Sequence, residues 1–91
     1  AVAVAVQAAC ATSLLAVAQG CEALRSGAAD MVLAGGVSVT FPARRGYAYA
    51  VEGMASADGH CRTFDADATG TVFGDGAGRV ALRRLDEALA D

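Results

Sequence analysis

Residues 1–37 read AVAVAVQAACATSLLAVAQGCEALRSGAADMVLAGGV, and the changes of period inside this stretch decide the fold class. Ala alternates with Val from Ala1 to Val6, closing on Gln7. β-Branched residues among small ones suit a strand buried on both faces. From Cys10 to Ser26 the period becomes helical: Leu14, Val17, Ala18, Cys21 and Leu24 recur at steps of three and four, and Gly27 follows as a C-terminal cap. The polar residues of this helix, Gln19, Glu22, Arg25 and Ser26, fall in its second half, so its N-terminal end is expected to be buried and its C-terminal end wet. Met31 to Val37 is a short continuous apolar run, a second buried strand closed by Gly35 and Gly36. Strand, helix and strand in succession imply an α/β layer architecture.

Beyond residue 37 the pattern loosens. Pro42 to Thr63 holds no sustained period and contains Pro42, Gly46, Gly53 and the Asp58-Gly59 turn, which predicts a long excursion with a short helix near Arg44 to Val51. Gly70, Gly74, Gly76 and Gly78 are separated by even steps. In extended chain they share one face and leave it bare for another backbone to approach. Arg79 to Leu82 alternates like a strand, and Leu85 to Leu89 opens a helix. Ala1 starts within a strand pattern and Asp91 falls within a helical one, so residues 1–91 are expected to be an internal fragment of one domain, truncated at both ends.

The bulk properties narrow the classes. The chain has 91 residues, 55% of them hydrophobic but only 5% aromatic, and its formal charge is −3. A chain of this size buries about 60–65% of its unfolded surface, and so many small apolar residues suggest that much of the surface faces other protein. Gln7, Gln19, Glu22 and Arg25 interrupt every apolar run before it reaches the roughly 20 residues of a membrane span. The basic residues fall in pairs, Arg44-Arg45 and Arg83-Arg84, without an aromatic-interleaved stripe, which excludes a nucleic-acid footprint. Three cysteines, Cys10, Cys21 and Cys61, with no CxxC spacing, favour a reducing, cytoplasmic setting.

Cys10 sits where the first strand turns into the first helix. Unpaired backbone N–H groups and the helix dipole at that junction favour a thiolate nucleophile and can receive a developing oxyanion. Packing as a small buried residue is the other reading, and position alone does not choose. His60, the only histidine, would complete a Cys10–His60 hydrolase dyad, but it follows an Asp-Gly turn, a surface context. His60, Cys61 and Cys21 lack zinc-site spacing, so no metal is expected. Gly74 to Gly78 precedes a strand and is not GxGxxG, which speaks for close backbone packing and against a phosphate cradle.

Four motifs, spread along the whole chain, choose among these readings: Ala9-Cys10-Ala11-Thr12-Ser13-Leu14; Ala29-Asp30-Met31-Val32-Leu33-Ala34-Gly35-Gly36; Asp58-Gly59-His60-Cys61-Arg62-Thr63-Phe64-Asp65; and Gly74-Asp75-Gly76-Ala77-Gly78. Together they resemble the β-ketoacyl synthase family, in an order and spacing similar to the ketosynthase domains of modular polyketide synthases. Where many of those carry Asp-Thr before Ala-Cys, this chain has Gln7-Ala8. Gly46-Tyr47-Ala48-Tyr49 followed by Glu52-Gly53-Met54 looks like ketosynthases of mixed peptide-polyketide assembly lines.

The resemblance implies a thiolase-like α/β/α layered fold, of which this segment supplies a strand, the nucleophile helix, a strand, a long loop and a further strand of the N-terminal half. It implies that Cys10 carries the acyl chain as a thioester and that its own N–H forms part of the oxyanion hole. It places Tyr49 on the acyl pocket and gives His60 no catalytic role. An acyl carrier protein is the implied partner, its phosphopantetheine arm delivering substrate, with no cofactor held by the segment itself. The strand at residues 1–7 is implied to pair with its copy across a homodimer axis. The implied reaction is decarboxylative condensation with a malonyl-type extender, in polyketide or fatty acid biosynthesis. The two histidines that promote it lie in motifs outside this segment, so the fragment alone is expected to be inactive. A thiolase or starter-unit synthase of the same fold, or a non-catalytic pocket-shaping subunit, are the alternatives.

Overall fold

A computed structural model describes residues 2–41 and 46–91. Its elements are a 3₁₀ turn at Ala9–Ala11, helix α1 at Thr12–Arg25, strand β1 at Val32–Ser38, strand β2 at Gly76–Leu82 and helix α2 at Leu85–Ala90. The chain divides into two compact units, Ala1–Val37 with Ala77–Asp91, and Ser38–Gly76.

In the first unit β1 and β2 form a two-stranded sheet. Gly35 lies against the Gly78 carbonyl and Arg79, while Val32 and Leu82 both reach Gly20 of α1. Residues opposite one another therefore sum to a constant, an antiparallel register. A Cβ built on Gly35 would strike the Gly78 oxygen, so this crossing of backbones admits only glycine. Gly20 acts similarly on the helix side: a Cβ there would fall 2.8 Å from Val32 Cγ1 and 3.2 Å from Leu82 Cδ1. Glycine inside a helix costs about 1 kcal/mol relative to alanine, and here it lets α1 approach the sheet.

Polar contacts close the same unit. Arg84 donates from Nη1 to the carbonyls of Leu24 at 2.7 Å and Ala29 at 2.9 Å, and from Nη2 to Asp30 Oδ1 at 2.5 Å. It also pairs with Glu87 Oε2 at 3.1 Å. One guanidinium thus adds a charged donor to the Leu24 carbonyl, which also accepts from the Gly27 N–H, at the C-terminal end of α1 where the dipole favours a cation, and ties it to the first turn of α2. Gly27, at φ +78°, reverses the chain just past α1.

Among its described residues the second unit has almost no regular structure. A single parallel bridge joins Ala55 to Thr71. Around it Ser56, 0% exposed, is the hub. Its N–H donates to Thr71 O at 2.8 Å. Its carbonyl accepts from Tyr47 Oη at 2.7 Å, and its Oγ donates to Asp58 Oδ1 at 3.0 Å while accepting from His60 N at 3.2 Å.

Several expectations are corrected. Val2 to Ala8 form no strand: the run is irregular and unpaired among the described residues, with Val2 91% exposed. A strand needs a ladder partner, and β1 and β2 pair with each other instead. The burial expected along α1 is inverted. Leu14 is 73% exposed, whereas Leu24 and Gly20, which lies against Val32 and Leu82, are buried; the sheet also reaches the first turn of the helix, where Gly36 lies near Ser13, but does not cover Leu14. β1 runs one residue later than expected and is not buried on both faces, since only Ala34 is fully enclosed. Of the four evenly spaced glycines, Gly70 does meet another backbone, a Cβ there falling 2.6 Å from the Ala55 and Met54 carbonyl oxygens, while Gly74, Gly76 and Gly78 meet open space and a further close approach falls on Gly35. The short helix near Arg44 to Val51 lies partly outside the described residues; from Gly46 to Ala50 the chain is irregular and turns at Val51. Leu24 and Ala34 are the only buried hydrophobic side chains among the described residues.

Candidate functional site

Cys10 occupies the middle of the 3₁₀ turn that leads into α1. Its thiol is free and exposed. The residue before it, Ala9, has φ +50°, left-handed backbone that a side chain makes costly. The chain therefore kinks sharply at Ala9 and delivers Cys10 at the entrance of the helix. α1 has no acidic residue in its first turn and no side-chain cap on its leading N–H groups. An anion beside Cys10 meets the positive end of that helix dipole with nothing opposing it in the first turn.

A ring of hydrogen bonds encloses this kink. Gln7 Oε1 accepts from the Ala9 N–H at 2.9 Å and lies 3.1 Å from Thr12 Oγ1. Thr12 Oγ1 in turn accepts from the Ala8 N–H at 2.9 Å and lies 2.8 Å from the Ala9 carbonyl, to which it can also donate. The Ala11 N–H closes onto the Ala8 carbonyl at 3.0 Å. Sequence reasoning takes Cys10 from this stretch and treats Gln7 only as a departure from Asp. The available signal was a hydroxyl residue at the first position of the helix with an amide five residues before it, a local capping pattern.

The other predicted site residue, Tyr49, belongs to the second unit, where it is 48% exposed. In the same unit the backbone N–H of His60 donates to Ser56 Oγ and to Asp58 Oδ1, each at 3.2 Å, so its main chain serves the Ser56 hub. Arg62 grips Asp58 with both terminal nitrogens, at 3.1 and 2.8 Å. That pairing first, then the Ser56 hydroxyl, holds the Asp58 carboxyl well below the usual carboxylate range. Cys61, beside the Thr63 and Thr71 hydroxyls, has its thiol pKa lowered chiefly by those contacts. Cys21 is a free, half-buried thiol on α1. No three acidic, histidine or cysteine side chains converge on a metal position among the described residues. No helix there is long and apolar enough to cross a membrane.

The model of the β-ketoacyl synthase N-terminal domain matches residues 1–88. A phenolphthiocerol/phthiocerol polyketide synthase polypeptide of Mycobacterium tuberculosis is 52% identical over 86 residues, covering 94% of this chain. A second polypeptide of the phenolphthiocerol/phthiocerol polyketide synthase of that organism is 47% identical over 89 residues, or 98% of the chain. A mycocerosic acid synthase-like polyketide synthase of Mycolicibacterium smegmatis is 43% identical over a segment of equal length. The chain spans only 6% of the two former relatives and 4% of the latter. With the match running through the Cys10 turn, α1, the sheet and the Ser56 loop, the chain belongs to the β-ketoacyl synthase family, in its N-terminal domain.

Proposed function

We propose that this segment supplies the acyl-accepting half of a β-ketoacyl synthase of polyketide biosynthesis, and that Cys10 is its nucleophile. The observation that carries the reading is the position of Cys10: an exposed thiol after a left-handed residue, at the uncapped N-terminal end of α1, inside the family match. In the first step the Cys10 thiolate attacks the thioester carbonyl of an acyl group on the phosphopantetheine arm of a carrier protein. The tetrahedral anion collapses, the carbon–sulfur bond to the arm breaks, and the arm leaves as a thiol. A malonyl-type extender on a second carrier then loses carbon dioxide. Its enolate carbon attacks the Cys10 thioester and expels the Cys10 thiolate, giving a β-ketoacyl product. The backbone N–H of Cys10 stabilises the oxyanion in both additions.

The finer parts of the reading stand on the same footing. Residues 1–91 form one segment of a single ketosynthase domain with the thiolase-like α/β/α layering, and the rest of that domain covers the exposed apolar residues of α1 and β1. The strand implied at residues 1–7, of which Val2 and Val4 are exposed and have no ladder partner among the described residues, pairs with its copy in a homodimer. Tyr49 lines the acyl pocket. The segment itself holds no cofactor, the setting is cytoplasmic, and the same condensation serves fatty acid as well as polyketide assembly.

Acyl loading of the full-length synthase tests the reading. Cys10→Ala abolishes transfer of the acyl group from the carrier, and Cys10→Gln leaves an enzyme that releases carbon dioxide from the extender without condensing. Loading that persists in Cys10→Ala refutes the assignment.

A further inference from the structure

We propose that Gln7 and Thr12 are positioning residues for acylation: their side chains lock the left-handed turn at Ala9 and so fix the direction of the Cys10 thiol and its N–H. The inference rests on the reading of Cys10 as the acylated nucleophile. A non-glycine residue held at positive φ persists only where its surroundings over-determine it. At Ala9, φ +50°, those surroundings are Gln7 and Thr12. Gln7 Oε1 takes the Ala9 N–H at 2.9 Å. Thr12 Oγ1 takes the Ala8 N–H at 2.9 Å and stands 2.8 Å from the Ala9 carbonyl. Both peptide planes flanking Ala9 are thus held by side chains, and the two side chains meet each other at 3.1 Å. Without them the Ala8–Ala9 segment keeps only the backbone bonds from the Ala11 N–H to the Ala8 carbonyl and from the Thr12 N–H to the Ala9 carbonyl, its own N–H groups lose their partners, and it relaxes toward ordinary right-handed or extended backbone. That rotation turns the Cys10 N–H away from where the thioester oxygen becomes an anion.

Such a role separates two reactions of the same thiol. Acylation passes through a tetrahedral oxyanion and needs the N–H in place. Alkylation by iodoacetamide displaces iodide at a saturated carbon and forms no oxyanion. In the full-length synthase, Thr12→Val keeps the side-chain shape and removes the hydroxyl, and Gln7→Met keeps the length and removes the carbonyl. Each is expected to slow acyl loading of Cys10 by about tenfold to a hundredfold, the scale of a misplaced catalytic group, with little change in the carrier concentration at half-maximal rate. Alkylation of Cys10 changes several-fold less. Thr12→Ser recovers most of the lost loading rate.

Gln7 is exposed, so Gln7→Met carries the test even where Thr12→Val disturbs the helix. Unchanged loading in Gln7→Met overturns the clamp, as does an equal loss of loading and alkylation in both variants. Cys10→Ala, run alongside, keeps the two readings apart. If it abolishes loading while the clamp variants load normally, only the clamp fails. If it still loads, the nucleophile assignment falls and the clamp with it.

Discussion

The two units of this chain hold themselves together by opposite means. Residues 2–37 with 77–91 are organised by shape: glycines at positions 20 and 35 let a helix and two strands approach until a single added carbon would collide. Residues 46–76 are organised by polar satisfaction: Ser56, wholly buried, distributes its three polar groups among Thr71, Tyr47, Asp58 and His60, and regular secondary structure is nearly absent. The contrast locates the fragility of each unit. The first should fail by gaining volume, the second by losing a hydrogen-bonding atom.

The largest effect is expected from Gly35→Val. Its side chain would be driven into the Gly78 carbonyl and Arg79, both on the backbone of β2, and neither can rotate away. Loss of about 3 kcal/mol or more follows from overpacking of this kind. Limited trypsin digestion of the full-length synthase should then cut faster at Arg79, while the site at Arg62 is unaffected. Cleavage at the parental rate at both would show that the glycine crossing does not hold the sheet.

Ser56→Ala is the matching change in the other unit. It adds no volume, yet removes one of the two acceptors of the His60 N–H and the hydroxyl bond to Asp58, whose Oδ1 keeps His60 and Arg62, at a cost of about 1 kcal/mol, the net worth of a typical hydrogen bond. Here the expected digestion pattern is reversed, with Arg62 released and Arg79 protected. A Ser56→Ala protein as resistant as the parent would mean that the loop is held by something other than its polar hub.

The smallest effect belongs to Asp58→Asn. The Asp58 carboxyl is depressed in the folded chain by Arg62 and Ser56. Its contribution is therefore fully present above the ordinary carboxylate range of about 4 and is lost as pH falls below it. The pair is half-exposed, so salt screens it. Protection of Arg62 should weaken slightly at neutral pH in Asp58→Asn and lose its dependence on pH below about 4. An unchanged acid profile would remove Asp58 from the hub.

Periodicity in the sequence made the first unit partly legible. The helix at Cys10 to Ser26, the strand at Met31 to Val37 and the strand at Arg79 to Leu82 all appear within a few residues of where their spacing puts them. The directions in which they bury were not legible. Leu14 and Val37 are as apolar as Leu24, and only the partner each helix or strand meets decides which is covered. The strand at Ala1 to Gln7 failed for the same reason, because alternation indicates a strand but cannot supply its neighbour. In the second unit, Ser56 looks like any loop serine, and its burial follows from contacts with Tyr47, Thr69 and Thr71 that no local pattern encodes. At the site, Cys10 was found by its place between a strand pattern and a helix pattern and by family resemblance. The kink at Ala9 and its two supporting side chains depend on backbone angles, and these are visible only in the structure.

The chain carries its own controls for the role of Cys10, since Cys10, Cys21 and Cys61 are all free thiols and only one is assigned the chemistry. Incubating the full-length synthase with an acylated carrier protein, digesting it, and locating the acyl adduct by mass spectrometry tests that assignment directly. Trypsin leaves Cys10 and Cys21 together on the N-terminal side of Arg25, so fragment ions must separate them, whereas Cys61 is released on another peptide. The expected result is an acyl thioester on Cys10, with Cys21 and Cys61 unmodified. An adduct on Cys61, or none within this segment while the synthase is acylated elsewhere, would contradict it.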